Sequence, residues 1–449
     1  MATLPVVAII GKPNAGKSTL FNALTGERRA IVSEIPGTTR DPVAMKIETD
    51  DLDYLLLDTG GLGGGSTDKA LEKDVAMQST VALQAADLIL FIVNAREELT
   101  ASDRCIIEML RKQRRRHVPV IIVATKCDKP GTEEQAVPEL QALGISDDVL
   151  PVAAVHRQGI GELEIGIIDH LKKLHFAKKP ETSLPETRNL PRIAILGRPN
   201  VGKSSLLNAL MSEPMRKTAG RIVSPIPGTT RDASDTIIPS QGKPYVFVDT
   251  AGIRRKARIE DDLEYLSYVQ SIHALESSDV ALLVIDGSEP PTHQDKRLAG
   301  IVIDEGKGLI LLLNKIDLLT TDAKKERLEE IRKAFPFCAF APILPVSAKT
   351  REGLLKMFPL IDAVIRNRLR RIAVKDLREW YLTAVRGVPA QVLANSKHIT
   401  QASDPPPTFV VFVRNPKAVQ LSQLRALENN IRRTFAFEGT PIRWITKRT

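Results

Sequence analysis

The chain has 449 residues, too many for one ordinary domain and closer to three. Its composition, 43% hydrophobic and 26% charged, is that of a globular protein and excludes chain-wide disorder or a collagen-like repeat. A net charge of +9 points to an anionic partner without saying where the charge lies.

The apolar run Val6 to Ile10 has no basic segment before it and is too short for a signal core. No run reaches the ~20 apolar residues that span a bilayer. Three cysteines (Cys105, Cys127, Cys338) cannot staple a chain this long. A soluble cytoplasmic protein in a reducing compartment is expected.

That first run reads as a strand. It is followed by Gly11-Lys12-Pro13-Asn14-Ala15-Gly16-Lys17-Ser18-Thr19 and by a helix predicted over Thr19 to Leu24. Glycines at this spacing let successive backbone N–H groups point at phosphate oxygens, and the helix N-terminus adds partial positive charge. Lys17 is expected on the β- and γ-phosphates and Ser18 on Mg²⁺. Further runs at Tyr54–Leu57, Leu88–Val93 and Val120–Ala124 are apolar throughout, as strands covered on both faces are. Asp58-Thr59-Gly60-Gly61-Leu62 follows one of them. Asp58 is expected to hold Mg²⁺ through water, and the Gly61 N–H to sense the γ-phosphate. Thr125-Lys126-Cys127-Asp128 follows another run. An ionised Asp only accepts hydrogen bonds, so Asp128 matches the two donors on the guanine edge and not adenine. GTP is therefore favoured over ATP, with the Ala154 N–H a further contact.

The whole pattern then returns. Gly197-Arg198-Pro199-Asn200-Val201-Gly202-Lys203-Ser204-Ser205 repeats the first loop, offset by 186 positions. Pro227 to Asp232 and Asp249-Thr250-Ala251-Gly252-Ile253 repeat the next two blocks, offset by 191. Asn314-Lys315-Ile316-Asp317 and Ser347-Ala348-Lys349 complete a second base site. Runs at Val246–Val248, Ala281–Ile285 and Leu309–Leu313 are the matching strands. A period near 190 is a duplicated domain, so the fold class is α/β, with two doubly wound, mostly parallel sheets. Lys172 to Asn189 reads as a linker. The last part, with a strand up to Val413, a helix over Leu421 to Phe435 and a short strand at Ile442 to Ile445, reads as a small α+β domain. The expected domains are 1–171, 191–365 and 366–449, with 172–190 the linker.

Charge is not evenly spread. From Arg366 onward there are 16 Lys/Arg against 5 Asp/Glu, a net of +11, so the rest of the chain is slightly acidic. Counterion release from RNA would make binding by this end salt-sensitive.

Two such GTPase-type domains followed by a small basic one resemble the Der/EngA family of ribosome-assembly GTPases. The motifs carrying the likeness are Pro36-Gly-Thr-Thr-Arg-Asp41 and its copy, and Pro406-Pro-Thr-Phe-Val-Val-Phe-Val-Arg-Asn415 in a KH-like domain. The resemblance implies GTP/GDP and Mg²⁺ as cofactors and the large ribosomal subunit and its rRNA as partner, with no membrane, for a protein acting as a monomer. It implies that Thr39 and Thr230 close onto Mg²⁺, and that Asn14 and Asn200 ligate a K⁺ ion. A tRNA-modifying GTPase is a competing reading, but it has one such domain and a C-terminal cysteine motif. A GTP-gated membrane switch is another, and no lipidation motif supports it.

The sequence departs from this pattern in several places. Leu62 and Ile253 stand where signalling GTPases carry a water-orienting Gln, so slow intrinsic hydrolysis is expected. Thr125, Ala153 and Val155 replace Asn314, Ser347 and Lys349, which predicts weaker guanine binding in the first copy. No Gly-x-x-Gly clamp exists after residue 366. Trp380, Tyr381 and Trp444 are either base-stacking or core residues. Arg254 to Lys256 and Arg258 put charge on a switch-type loop. Arg111 to Arg116 read as a solvated helix end, and Cys127 as inert.

Overall fold

The computed structural model describes residues 4–26, 44–58, 86–113, 118–128, 131–146, 148–176, 190–211, 235–250, 271–386, 396, 398–402 and 405–448. The chain forms two compact units, Met1–Pro185 and Glu186–Thr449. Among the described residues no helix is long and apolar enough to cross a membrane.

The first unit is built on strands β1 (Val6–Ile10), β2 (Ala44–Ile47), β3 (Tyr54–Asp58), β4 (Leu88–Asn94), β5 (Val120–Thr125) and β6 (Val149–Val152). Their order is β2-β3-β1-β4-β5-β6. Only β2 runs antiparallel, against β3. Every residue of β1, β3 and β4 is buried, which is why those runs carry no polar alternation. The helix Ile160–Lys173 shows the 3.6-residue period directly, with Ile160, Leu163, Ile167 and Leu171 buried.

The second unit repeats this with β7 (Arg192–Leu196), β8 (Thr236–Ser240), β9 (Lys243–Phe247), β10 (Val280–Asp286), β11 (Gly308–Asn314) and β12 (Ile343–Pro345). Read from β8, its order is β8-β9-β7-β10-β11-β12, the same winding as the first sheet. The strand expected at Val246–Val248 begins earlier, at Lys243, because it forms a tight hairpin with β8 in which Ser240 pairs with Lys243.

The same unit carries a third sheet, of β13 (His398–Gln401), β14 (Thr408–Val413) and β15 (Arg443–Arg448), with β14 central. The last strand is longer than the Ile442–Ile445 expected, because its parallel pairing with β14 runs on to Val413 and Arg448. The helices Val374–Arg386 and Leu421–Phe435 cover this sheet. On the second helix Leu424, Leu427 and Ile431 are buried, whereas Leu421 at its first turn stays exposed. Trp380 and Tyr381 belong to the core, and Trp444 packs on Phe409 at 5.3 Å between ring centres. The base-stacking alternative for these rings is therefore not met.

This small sheet is bonded to the second α/β domain. The Gly439 N–H donates to the Phe340 carbonyl and the Leu309 N–H to the Gly439 carbonyl, both at 2.8 Å. The Arg432 guanidinium lies 4.3 Å over the Phe340 ring. Arg368 donates to the Gly306 carbonyl, and Arg443 to that of Asp304. Part of the C-terminal positive charge thus caps backbone carbonyls rather than facing solvent.

Candidate functional site

Each P-loop leaves the C-terminal end of the central strand of its sheet, where open α/β sheets bind ligands. In the first copy the helix Lys17–Thr25 starts with Gly16 in the left-handed region at φ 99. Gly202 repeats this at φ 100, and a Cβ there would fall 2.3 Å from Asn314 Nδ2. Asn14 and Asn200 also adopt positive φ, 62 and 63. The two loops are thus conformational copies.

The Lys17 ammonium is buried and donates to the carbonyls of Gly11 at 2.8 Å and Lys12 at 2.7 Å. Burial holds its pKa below the ordinary lysine value, with the Asp58 and Asp103 charges partly offsetting this. Lys203 makes the same two bonds, to Gly197 and Arg198, at 2.6 Å each. A cation held by two loop carbonyls at the start of a helix suits a polyphosphate. Ser18 Oγ donates to Asp58 Oδ2 at 2.9 Å, so two hard oxygen donors meet at the mouth of the loop, a donor set that fits Mg²⁺. In the second copy Asp249 and Thr250 sit at the end of the hairpin, with the Asp249 N–H donating to Asp235 Oδ1 at 3.2 Å.

The base-site motifs end β5 and β11. Lys126 and Lys315 both take the left-handed conformation at φ 63. Asn314 braces two loops: Nδ2 donates to the Val201 carbonyl at 2.8 Å, and Oδ1 accepts from the Ala348 N–H at 3.0 Å. Thr125 makes only the first of these, its hydroxyl reaching the Ala15 carbonyl at 2.6 Å. The loop at Ala154 loses that brace, as the shorter side chain requires. Ser347 Oγ donates to Asp317 Oδ1 at 2.5 Å and accepts from the Thr350 N–H at 3.0 Å. Ala153 can do neither. Val155 is 79% exposed where the second copy has Lys349. Cys127 is buried, and burial pushes its thiol up, which disfavours the reactive thiolate.

The ion pairs around these loops escaped the sequence reading, as did Arg96 altogether. Lys12 pairs with Glu97 at 2.9 Å and with the fully buried Asp103 at 3.2 Å. Arg198 pairs with Glu289 and, at 3.5 Å, with Asp295. Lys315 pairs with Asp286 at 2.5 Å, where the first copy has the neutral Asn94. Arg96 pairs with Asp128. The missed signal was a sixth repeated block: Thr100-x-x-Asp103 returns as Thr292-x-x-Asp295. In both copies this Thr and Asp exchange hydrogen bonds at the start of a helix.

Thr39, Thr59 to Leu62, Thr230 and Ala251 to Ile253 lie outside the described residues, as do Arg254 to Lys256, Arg258, Arg114 to Arg116 and most of the linker. Arg111, at the described end of that basic run, donates to the Leu143 carbonyl at 2.6 Å.

With this geometry in place, the likenesses to known proteins can be read. A family described as "50S ribosome-binding GTPase" matches residues 6–126 and 192–315, one stretch for each P-loop sheet. A second, "KH-domain-like of EngA bacterial GTPase enzymes, C-terminal", matches 371–447. The protein named GTPase Der of Agathobacter rectalis is 42% identical over 449 residues, covering 99% of this chain and 98% of its own. GTPase Der of Thermomicrobium roseum is 41% identical over 452 residues, covering 98% and 95%. GTPase Der of Geobacillus sp. is 39% identical, covering 99% of both chains. Two P-loop sheets with guanine-type motifs, a KH-like domain and these full-length likenesses place the chain in the GTPase Der family, as a tandem-domain enzyme that binds GTP and hydrolyses it.

Proposed function

We propose that the protein is an assembly factor for the large ribosomal subunit, binding its rRNA in a nucleotide-dependent way through two GTPase domains (1–171 and 191–365) and a KH-like domain (366–449). The observation that carries the reading is the joining of two P-loop sites to a basic domain: the family described as ribosome-binding matches both P-loop stretches, and the net +11 lies from residue 366 onward. Arg366, Lys375, Arg378, Arg414, Lys417, Arg425 and Lys447 of that end are exposed. These side chains are open to phosphates, unlike Arg368 and Arg432, which are turned to the protein.

In each site the P-loop lysine, Lys17 or Lys203, neutralises the β- and γ-phosphates, and Asp128 or Asp317 selects guanine. The P-loops contribute Gly11 to Thr19 and Gly197 to Ser205, and the base is further lined by Lys126, Ala154, Lys315, Ser347, Ala348 and Lys349. Ser18 and Ser204, with Thr39 and Thr230, would hold Mg²⁺, with Asp58 and Asp249 as the acidic groups beside them. When bound, Mg²⁺ offsets charge on the phosphate oxygens. The N–H groups of Gly61 and Gly252 read the γ-phosphate. The amides of Asn14 and Asn200, exposed at the loop mouths, supply oxygen ligands suited to K⁺. Leu62 and Ile253 cannot orient water, so intrinsic turnover is slow and a partner or the backbone completes the site.

Sedimentation through sucrose gradients with ribosomal subunits tests the reading. The protein should move with the large subunit with a non-hydrolysable GTP analogue and leave it with GDP. Absence from that fraction in every nucleotide state would refute it.

A further inference from the structure

The two guanine motifs hold the same carboxylate oxygen by different means. In the second site Ser347 Oγ donates to Asp317 Oδ1 at 2.5 Å. In the first site Ala153 offers no hydroxyl, and Arg96 Nη2 donates to Asp128 Oδ1 instead. Arg96 comes from the turn after β4, and its Nε also donates to the Lys126 carbonyl at 3.1 Å. One guanidinium thus spans the backbone and the side chain of the same motif. Its counterpart in the second copy, Ser288, turns away and donates to Asp286 Oδ1 at 2.6 Å, leaving Asp317 to Ser347.

We propose that Arg96 is the positioning residue that aims Asp128 at the guanine edge in the first site, the task that Ser347 performs in the second. The inference rests on the reading of Asp128 and Asp317 as guanine acceptors. Each carboxylate oxygen has two lone pairs, so Oδ1 can keep its Arg96 bond while it accepts a base donor. Guanine presents two donors to the carboxylate, so an Asp free to rotate loses the two-point match. The first site has exchanged a buried, neutral hydroxyl for a charged donor whose side chain is 37% exposed. Salt screens an exposed ion pair and leaves a buried hydroxyl bond largely untouched. Recognition in the first site is therefore the more salt-sensitive of the two.

The full-length chain with Asp317→Asn, in excess xanthosine diphosphate, confines guanine nucleotide to the first site. A fall in bound GDP from two per chain to one supports the acceptor reading, and two per chain overturns that reading and the proposal with it. In this background Arg96→Ala should weaken GDP binding about tenfold, the loss of one charge-assisted hydrogen bond. Inosine diphosphate lacks the exocyclic amine, so its binding should fall less and the GDP-to-IDP preference should shrink. Adding Ala153→Ser to Arg96→Ala should restore most of the affinity and flatten its salt dependence. Xanthosine diphosphate binding at the second site serves as the folding control. GDP binding that stays unchanged or tightens on Arg96→Ala would overturn the proposal, since Arg96 would then be idle or in the way. So would equal losses of GDP and IDP with no rescue by Ala153→Ser.

Discussion

Lys12 Nζ lies 3.2 Å from the Asp103 carboxylate, which is itself wholly buried. Its repeat partner Arg198 approaches Asp295, also wholly buried. Lys12 is the P-loop residue whose carbonyl receives the Lys17 ammonium, so this pair anchors the phosphate loop from behind. Burial alone would lower the Lys12 pKa, yet the bonds to Glu97 and Asp103 outweigh it and raise the pKa above the usual range.

Asp103→Ala should therefore destabilise the first domain by about 2 kcal/mol, because it leaves Lys12 with Glu97 as its carboxylate partner and removes the Thr100–Asp103 bonds at the helix start. Hydrogen exchange at the amides of β1 checks this: protection should drop there and persist in β7. Equal protection in both copies would contradict the anchoring role.

The Asn314 side chain predicts a gain. Thr125→Asn supplies the missing acceptor for the Ala154 N–H, as Asn314 does for Ala348 at 3.0 Å. First-site GDP affinity should tighten by about 1 kcal/mol, roughly fivefold, and Asn314→Thr should weaken the second site by as much. Titration calorimetry on each variant gives both numbers.

Docking of the KH-like domain hinges on Gly439. Its φ is 74, and a Cβ there would stand 2.2 Å from Val364 Cγ2. Gly439→Ala should cost about 2–3 kcal/mol of interface stability, since a buried Val must give way to a strained backbone. The Leu309 amide, which donates to the Gly439 carbonyl, should then exchange faster.

The hairpin of the second domain carries a pH signature. Tyr245 is buried and donates to Asp362 Oδ1 at 3.1 Å. Burial, then the Asp362 charge and hydrogen bond, push its phenol up to about 12. A phenol whose folded pKa exceeds its unfolded one adds stability below pH 10, and that stability is lost as pH rises to about 12. Burial raises the Tyr381 phenol too, so absorbance titration at alkaline pH should show more than one late phenol, with one fewer in Tyr245→Phe. The variant should also lose its share of the stability change across that window.

The duplication, both P-loops and both base motifs were legible from the chain alone. They are short segments whose chemistry depends on spacing along the backbone, and a strand–loop–helix brings such neighbours together locally. The difference in bracing was legible too: the Thr125 hydroxyl reaches the carbonyls of Ala15 and Val93 but offers no acceptor to the Ala154 loop, whereas Asn314 ties Val201 to Ala348.

Other relationships needed the fold. Arg96 meets Asp128 across 32 positions because β4 and β5 are parallel neighbours ending at the same edge of the sheet. Arg368 and Arg432 read as free positive charge in the sequence, yet Arg368 binds a backbone carbonyl and Arg432 lies over the Phe340 ring. Trp380 and Trp444 could have faced bases, and hydrophobic burial against Phe435 and Phe409 decided otherwise. The residue types alone determined which chemistry the chain could perform. Which charges are taken up by packing was settled only when the sheets closed, since desolvation and partner geometry exist only in three dimensions.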